Sequence, residues 1–180
     1  MDEWFPSFYG IKLRDKEMSK EELNDEEFEL DDYRADEENA VVLQTHENIN
    51  RDLSGEILKL QKGYVELRLT TNSDMVADEH GLIHGGFIFS SADYAAMAAV
   101  NEKNVVLVGS ECQFLSPVKY GDEVNFVARV RHKEGRKRNV HVEAHVLDIK
   151  VFEGEFKTVI TDRHVLKLRL LDGEEEELEK

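Results

Sequence analysis

The chain is predicted to be an α+β fold in which a curved antiparallel sheet rolls around one helix. Three observations carry this. An early stretch with strand periodicity is followed by a stretch at helical spacing that is apolar on nearly every face, and then by a run of short alternating segments broken by turn residues. With 180 residues, 41% hydrophobic and 34% charged, the chain can fill one packed core but not two large ones.

The elements follow in order. Residues 1–40 hold 15 acidic and 5 basic side chains, a net of −10, with only scattered apolar residues. Such a segment buries too little to offset its ordering entropy and is expected to be a disordered or weakly helical extension. At its head stand Trp4, Phe5, Phe8 and Tyr9, which either fold back onto the body or form a docking motif for a protein partner. Residues 41–171 are expected to form the folded domain. They are nearly neutral, with 18 acidic and 17 basic side chains, whereas residues 172–180 form a second acidic tail with 6 and 1. The net charge of −16 therefore resides in the tails, which a phosphate backbone would repel; nucleic-acid binding is not expected.

From Ser54, residues Ile57, Leu58, Leu60, Val65, Leu67 and Leu69 alternate with polar ones, predicting a strand bent or bulged near Lys62-Gly63. A loop is expected at 71–81. The helix follows from His84 to Val100, where five alanines allow other backbones to approach closely. Strands are predicted at 105–116, 123–132, 138–150, 151–161 and 164–171, with turns at Pro117, Tyr120-Gly121-Asp122, Glu134-Gly135-Arg136 and Glu153-Gly154. The longest apolar stretch is interrupted by Ser90, Ser91 and Asp93 and falls short of a membrane span, and no secretory leader is expected. The single cysteine, Cys112, fits a cytoplasmic protein and inert packing in a strand.

His84-Gly85-Gly86 with Asp93 nine residues after the histidine resembles the signature of the PaaI-type acyl-CoA thioesterases of the hotdog superfamily. The segment Phe114-Leu115-Ser116-Pro117-Val118-Lys119-Tyr120-Gly121-Asp122 is similar to a second hotdog signature. The segments Ser54-Gly55-Glu56-Ile57, Phe126-Val127-Ala128-Arg129-Val130 and Val151-Phe152-Glu153-Gly154-Glu155-Phe156 resemble the effector domain of FapR, a fatty-acid-synthesis repressor that binds malonyl-CoA without hydrolysing it. The layout is also similar to a flagellum-co-regulated hotdog protein of Campylobacter and Helicobacter relatives. These resemblances imply a homodimeric or tetrameric hotdog protein. It would hydrolyse acyl-CoA or, alternatively, act as a non-catalytic acyl-CoA sensor linked to flagellar or virulence functions. CoA thioester would be substrate or ligand, with no further cofactor.

The residues can be read chemically as well. Gly85 and Gly86 would open the helix, where amides lack intrahelical partners and can polarise a thioester carbonyl. Gly86 to Asp93 is seven residues, roughly 10 Å of helix rise, so the carboxylate is expected to serve a second subunit's site. Otherwise it would cap a buried polar network at a dimer seam. His84 is either an orienting or structural group at the start of the helix or a participant in the chemistry. Asp78, six residues earlier where the thioesterases commonly carry Asn or Gln, would repel Asp93 or share a proton with it. Residues 105–108 read Val-Val-Leu-Val, where the family often supplies a hydroxyl. Arg136, Lys137 and Arg138 form either a solvated hairpin tip or a clamp on CoA phosphates. His80/His84 and His141/His145 are each four apart but lack the helix context of a metal motif, the second pair being expected to face solvent; no metal is expected.

Overall fold

The computed structural model describes residues 41–167; the expected acidic extension with its aromatic head, and the acidic C-terminal tail, lie outside the described residues. Short helix α1, Arg51–Ser54, leads into strands β1, Glu56–Gln61, and β2, Tyr64–Thr70. Helix α2, Gly85–Val100, precedes β3, Val105–Phe114, β4, Glu123–Glu134, β5, Lys137–Val146, and β6, Ile149–Ile160. The strands form one sheet in the order β1-β2-β4-β5-β6-β3, every neighbouring pair antiparallel.

Alternation decides which face is core. Val65, Leu67 and Leu69 of β2, Val124, Phe126, Ala128 and Val130 of β4, and Val140, Val142 and Ala144 of β5 are all buried. They point at α2, whose Ala92, Ala95, Ala96, Ala98 and Ala99 are each 0% exposed. The other face carries a charged ladder. His141, expected to face solvent, is buried within it, with Nδ1 2.7 Å from Glu155 Oε1, and Lys150 Nζ reaches Glu143 and Glu153.

Three expectations are corrected, and one element was not foreseen. The turn expected at Glu153-Gly154 lies instead at Leu147-Asp148, where Leu147 has a φ of +51°, so Glu153 and Gly154 sit within β6. The segment 57–69 is a hairpin with its turn at Lys62-Gly63, where the Gly63 φ of +81° reverses the chain; the bulge lies instead between Ile57 and Lys59. Residues 165–167 form a 3-10 turn where a strand was expected, residues 168–171 of that span lying outside the described residues. Helix α1, capped by the Asn50 side chain, has only four residues and therefore leaves no periodic signal.

The segment leading into α1 is pinned to the far end of α2. Asn101 closes α2 in the left-handed conformation, its Oδ1 accepting from Gln44 N at 2.8 Å and its Nδ2 donating to Val42 O at 3.0 Å. Leu43, Ile49 and Leu53 thereby reach the core.

Gly55 gives a direct check of this packing. Its φ is +91°, and a Cβ there would lie 2.5 Å from Leu67 Cδ2 and 2.7 Å from Arg68 O. Gly55→Ala is expected to cost about 2–3 kcal/mol in denaturant unfolding; an unchanged midpoint would contradict the close approach of α1 to β2.

Candidate active site

The start of α2 is held by the loops around it. Ile83 N donates to Val118 O, His84 N to Met75 O, and Tyr120 N to Gly81 O. Thr71 Oγ1 donates to both Lys119 O and Asp122 O, and the Asp122 carboxylate accepts from Lys119 N. The Pro117 to Asp122 segment thus fixes the direction in which the glycine pair points.

His84 is the N-cap of α2. Its Nδ1 accepts from Gly86 N at 2.9 Å, which makes the ring a structural group in this chain and occupies one of the two glycine amides. No partner among the described residues takes the Gly85 N–H. Both glycines are also closely packed by their neighbours. A Cβ at Gly85 would sit 3.0 Å from the Phe114 ring, and one at Gly86 2.7 Å from His84 Nδ1.

Asp93 stands on the same face of α2 as Gly86, because seven residues at 100° each return almost to the starting direction. Beyond Phe89 the helix is buried except at Ser90, Asp93 and Val100. The carboxylate therefore lies in the only open stripe. Its Oδ1 is out of solvent and has no hydrogen-bond partner among the described residues. Burial disfavours the charge and pushes the carboxyl up to about 6. Ser91 Oγ is likewise buried without a partner among the described residues.

The structure does not bring the other expected residues to this carboxylate. Asp78 is exposed and folds back on its own loop, accepting from His80 N at 2.9 Å and Leu82 N at 3.0 Å. The Leu82 and His80 amides hold its carboxyl below the usual range, and desolvation alone raises that of Asp93, so within the chain the two acids do not share a proton. Arg136 pairs with Asp162 at 2.7 Å, Lys137 is exposed, and Arg138 is partly buried beside the C-terminal end of α2. Burial pushes the Cys112 thiol up, in keeping with an unreactive side chain. Residues 105–108 bring no hydroxyl from β3. The sequence reading offered a structural His84 at the helix start without naming its partner, the Gly86 amide, for which a polar residue directly before a glycine pair and an apolar run was the available signal. Among the described residues no helix is long and apolar enough to cross a membrane.

With this geometry established, comparison with known proteins places the chain. The thioesterase superfamily profile matches residues 80–153. A methylthioribose-1-phosphate isomerase of Aquifex aeolicus is 54% identical over 112 residues, 62% of this chain but only 25% of that protein's length. The acyl-coenzyme A thioesterase PaaI of Escherichia coli is 30% identical over 58% of this chain and 74% of its own. The transcription factor FapR of a Thermoanaerobacter species is 26% identical over 85% of this chain and 76% of its own. Among solved structures, an uncharacterized protein of Pyrococcus horikoshii has a TM-score of 0.70 at 41% identity, covering 71% of this chain and 98% of that one. A sigma28-regulated virulence protein of Campylobacter jejuni has a TM-score of 0.68 at 42% identity, covering 69% and 89%. The hotdog fold and the similarity to PaaI, to FapR and to the Campylobacter protein are borne out at the level of the whole domain.

Two outcomes test the local geometry. His84→Ala is expected to cost about 1 kcal/mol by loss of the cap, and His84→Asn, which keeps an acceptor, much less. The Asp93 carboxyl titrates at about 6 in the folded chain against 3.8 for the free group. The folded state therefore holds the proton more tightly, so stability falls as pH rises from 3.8 through 6. Asp93→Asn is expected to stabilise the protein by about 1–3 kcal/mol at pH 8 and by nothing below pH 4, read from unfolding curves at both ends.

Proposed function

The chain belongs to the thioesterase superfamily, and on that premise we propose that it binds acyl-CoA and hydrolyses the thioester as a homodimer. Each site would combine the glycine pair of one copy with Asp93 of the other. The observation that carries this is Asp93 itself: a carboxylate with one buried, unpartnered oxygen on the open stripe of an otherwise enclosed helix. Seven residues of helix separate it from its own Gly86, roughly 10 Å, beyond direct reach. A second copy turned about a twofold axis would bring each acid to the other copy's glycines.

In this reading the Asp93 carboxylate takes a proton from water as the water oxygen attacks the acyl carbon. The Gly85 amide, and the Gly86 amide once the His84 ring moves aside, receive the charge gathering on the carbonyl oxygen. The C–S bond then breaks, and the departing thiolate takes the proton back from Asp93. A carboxyl near 6 suits a base working near neutral pH, being largely ionised there yet more basic than an ordinary aspartate.

Two observations favour a second reading. The Gly86 amide is already engaged by His84, and residues 105–108 of β3 carry no hydroxyl. A non-catalytic acyl-CoA sensor would need neither, and Trp4, Phe5, Phe8 and Tyr9 would then report to a protein partner, in a flagellar or virulence setting.

Release of free thiol from short, medium, long and aryl acyl-CoAs separates the two. Hydrolysis is expected, with kcat/KM rising as pH passes through about 6, and Asp93→Asn is expected to lower kcat by about 10²–10⁴-fold. Tight acyl-CoA binding without thiol release would establish the sensor. Mixing inactive Asp93→Asn with inactive Gly86→Val should restore about a quarter of the original activity, because random twofold pairing leaves one intact site in half of the dimers. No recovery would refute the shared site.

A further inference from the structure

At the opposite end of α2 from the glycine pair, positive charge collects without a counter-charge. Lys62, Lys133 and Arg138 line a pocket over Val100 and Val130, with Glu102 as its one acid. The β1–β2 turn closes one side of it: Gly63 N donates to Ala99 O at 3.1 Å and Gly63 O accepts from Val130 N at 2.9 Å, which sets Lys62 beside the last turn of the helix. Among the described residues none of the three cations pairs with a carboxylate. Arg138 Nη1 donates instead to Gly135 O and Lys137 O at 2.7 and 2.8 Å, so the guanidinium is held in place by backbone carbonyls.

The chain enters the fold next to this pocket. Asn101, the residue between the lining Val100 and Glu102, accepts from Gln44 N at 2.8 Å and donates to Val42 O at 3.0 Å. Val42 is 72% exposed there, so the entering chain meets the body at its surface. Directly upstream the sequence reads Asp36-Glu37-Glu38-Asn39-Ala40-Val41. These three acids stand four to six residues before the anchored Val42, a reach of roughly 13–20 Å for extended chain. Because Val100 and Glu102 are direct neighbours of the anchoring residue, the pocket lies within that reach. The acidic tail at 172–180 is the competing counter-charge. Its first acid, Asp172, is eleven residues beyond Thr161, whose N donates to Asn104 O at 3.0 Å. Exposed ion pairs are individually weak, and the local concentration of a tethered group falls with about the −3/2 power of tether length. The shorter tether therefore favours the run before Val41, although the tail carries more acids.

We propose that Asp36, Glu37 and Glu38 fold over this pocket, pair with Lys62, Lys133 and Arg138 of the same chain, and shield those cations from other anions. This goes beyond the acyl-CoA reading and does not depend on it. Three acids meet three cations, and the uncharged Asn39 and Ala40 supply the turn back from the anchored Val42. Lys62 and Lys133 are exposed, so their pairs are screened by salt and the cover opens as ionic strength rises. Any polyanion that reaches these cations has to displace the run first, which makes the start of the folded domain an intramolecular competitor.

Carbodiimide coupling, which joins an amine to a carboxylate it touches, tests the pairing on the full chain. With light and heavy isotope-labelled chains mixed at low salt, the expected products join Lys62 or Lys133 to Asp36, Glu37 or Glu38 within one isotopic copy. Their yield should fall about fivefold or more in about 1 M salt. Titration calorimetry with pyrophosphate gives the second readout. Asp36→Asn/Glu37→Gln/Glu38→Gln is expected to bind it about three- to tenfold more tightly than the unaltered protein at low salt. Adding Lys62→Gln/Lys133→Gln should remove that gain; all five positions are exposed or lie outside the described core, so the fold is left intact. Absence of the coupled products, coupling of Lys62 and Lys133 to Glu174–Glu179 instead, or coupling only between copies overturns the proposal. So does equal pyrophosphate affinity in the unaltered protein and the neutralised run.

Discussion

The burial of α2 is the constraint on which the rest of the architecture depends. A helix apolar on almost every side is only partly buried by a flat sheet, which can cover only one stripe of it. Its alanines let β2, β4 and β5 approach closely, and the sheet curves to follow them. The segment from Val41 to Ser54 closes part of what remains, tied down by Asn101 and by Leu43, Ile49 and Leu53. Only a narrow stripe is left open, and Asp93 lies in it. The same enclosure that stabilises the fold raises the carboxyl to about 6, so its proton affinity is a by-product of packing.

The glycine pair shows how one short segment can serve structure and chemistry together. At Gly85 the absent side chain makes room for Phe114, and at Gly86 for the His84 ring that caps the helix. The same lack of bulk leaves a thioester carbonyl able to approach the amides. These demands compete at Gly86, since its N–H can serve the imidazole or the carbonyl but not both at full strength. That competition is where a hydrolase and a binding protein of this fold would diverge: a ring that yields to the ligand permits turnover, and one that holds its place favours recognition alone.

Much of this was legible in the sequence because it depends on local periodicity. Alternation in Val65–Leu69 and Val124–Val130 marks the inner face, and the apolar run with five alanines marks the enclosed helix. The spacing of Gly86 and Asp93 places both on one side of α2. The misses have equally local causes. At Lys62-Gly63 the alternation continues on both sides of the turn, so a hairpin and a kinked strand look alike. The Asp78 carboxylate was expected near Asp93, yet amides within four residues of it offered nearer partners.

By itself, then, the sequence determined that one greasy helix must be wrapped by antiparallel strands and that a glycine pair and an acid stand about two turns apart on it, because these follow from repeat distances along a single element. Only the tertiary structure decided that Asp93 would lie on the open side of α2, that His84 would take the Gly86 amide, that Asp78 would close its own loop, and that a bulge between Val130 and His132 would shift β4 against β5. Each of these depends on which groups distant or adjacent in the chain meet with the right direction. A single inserted residue in one strand exchanges its faces without leaving a mark in composition or spacing.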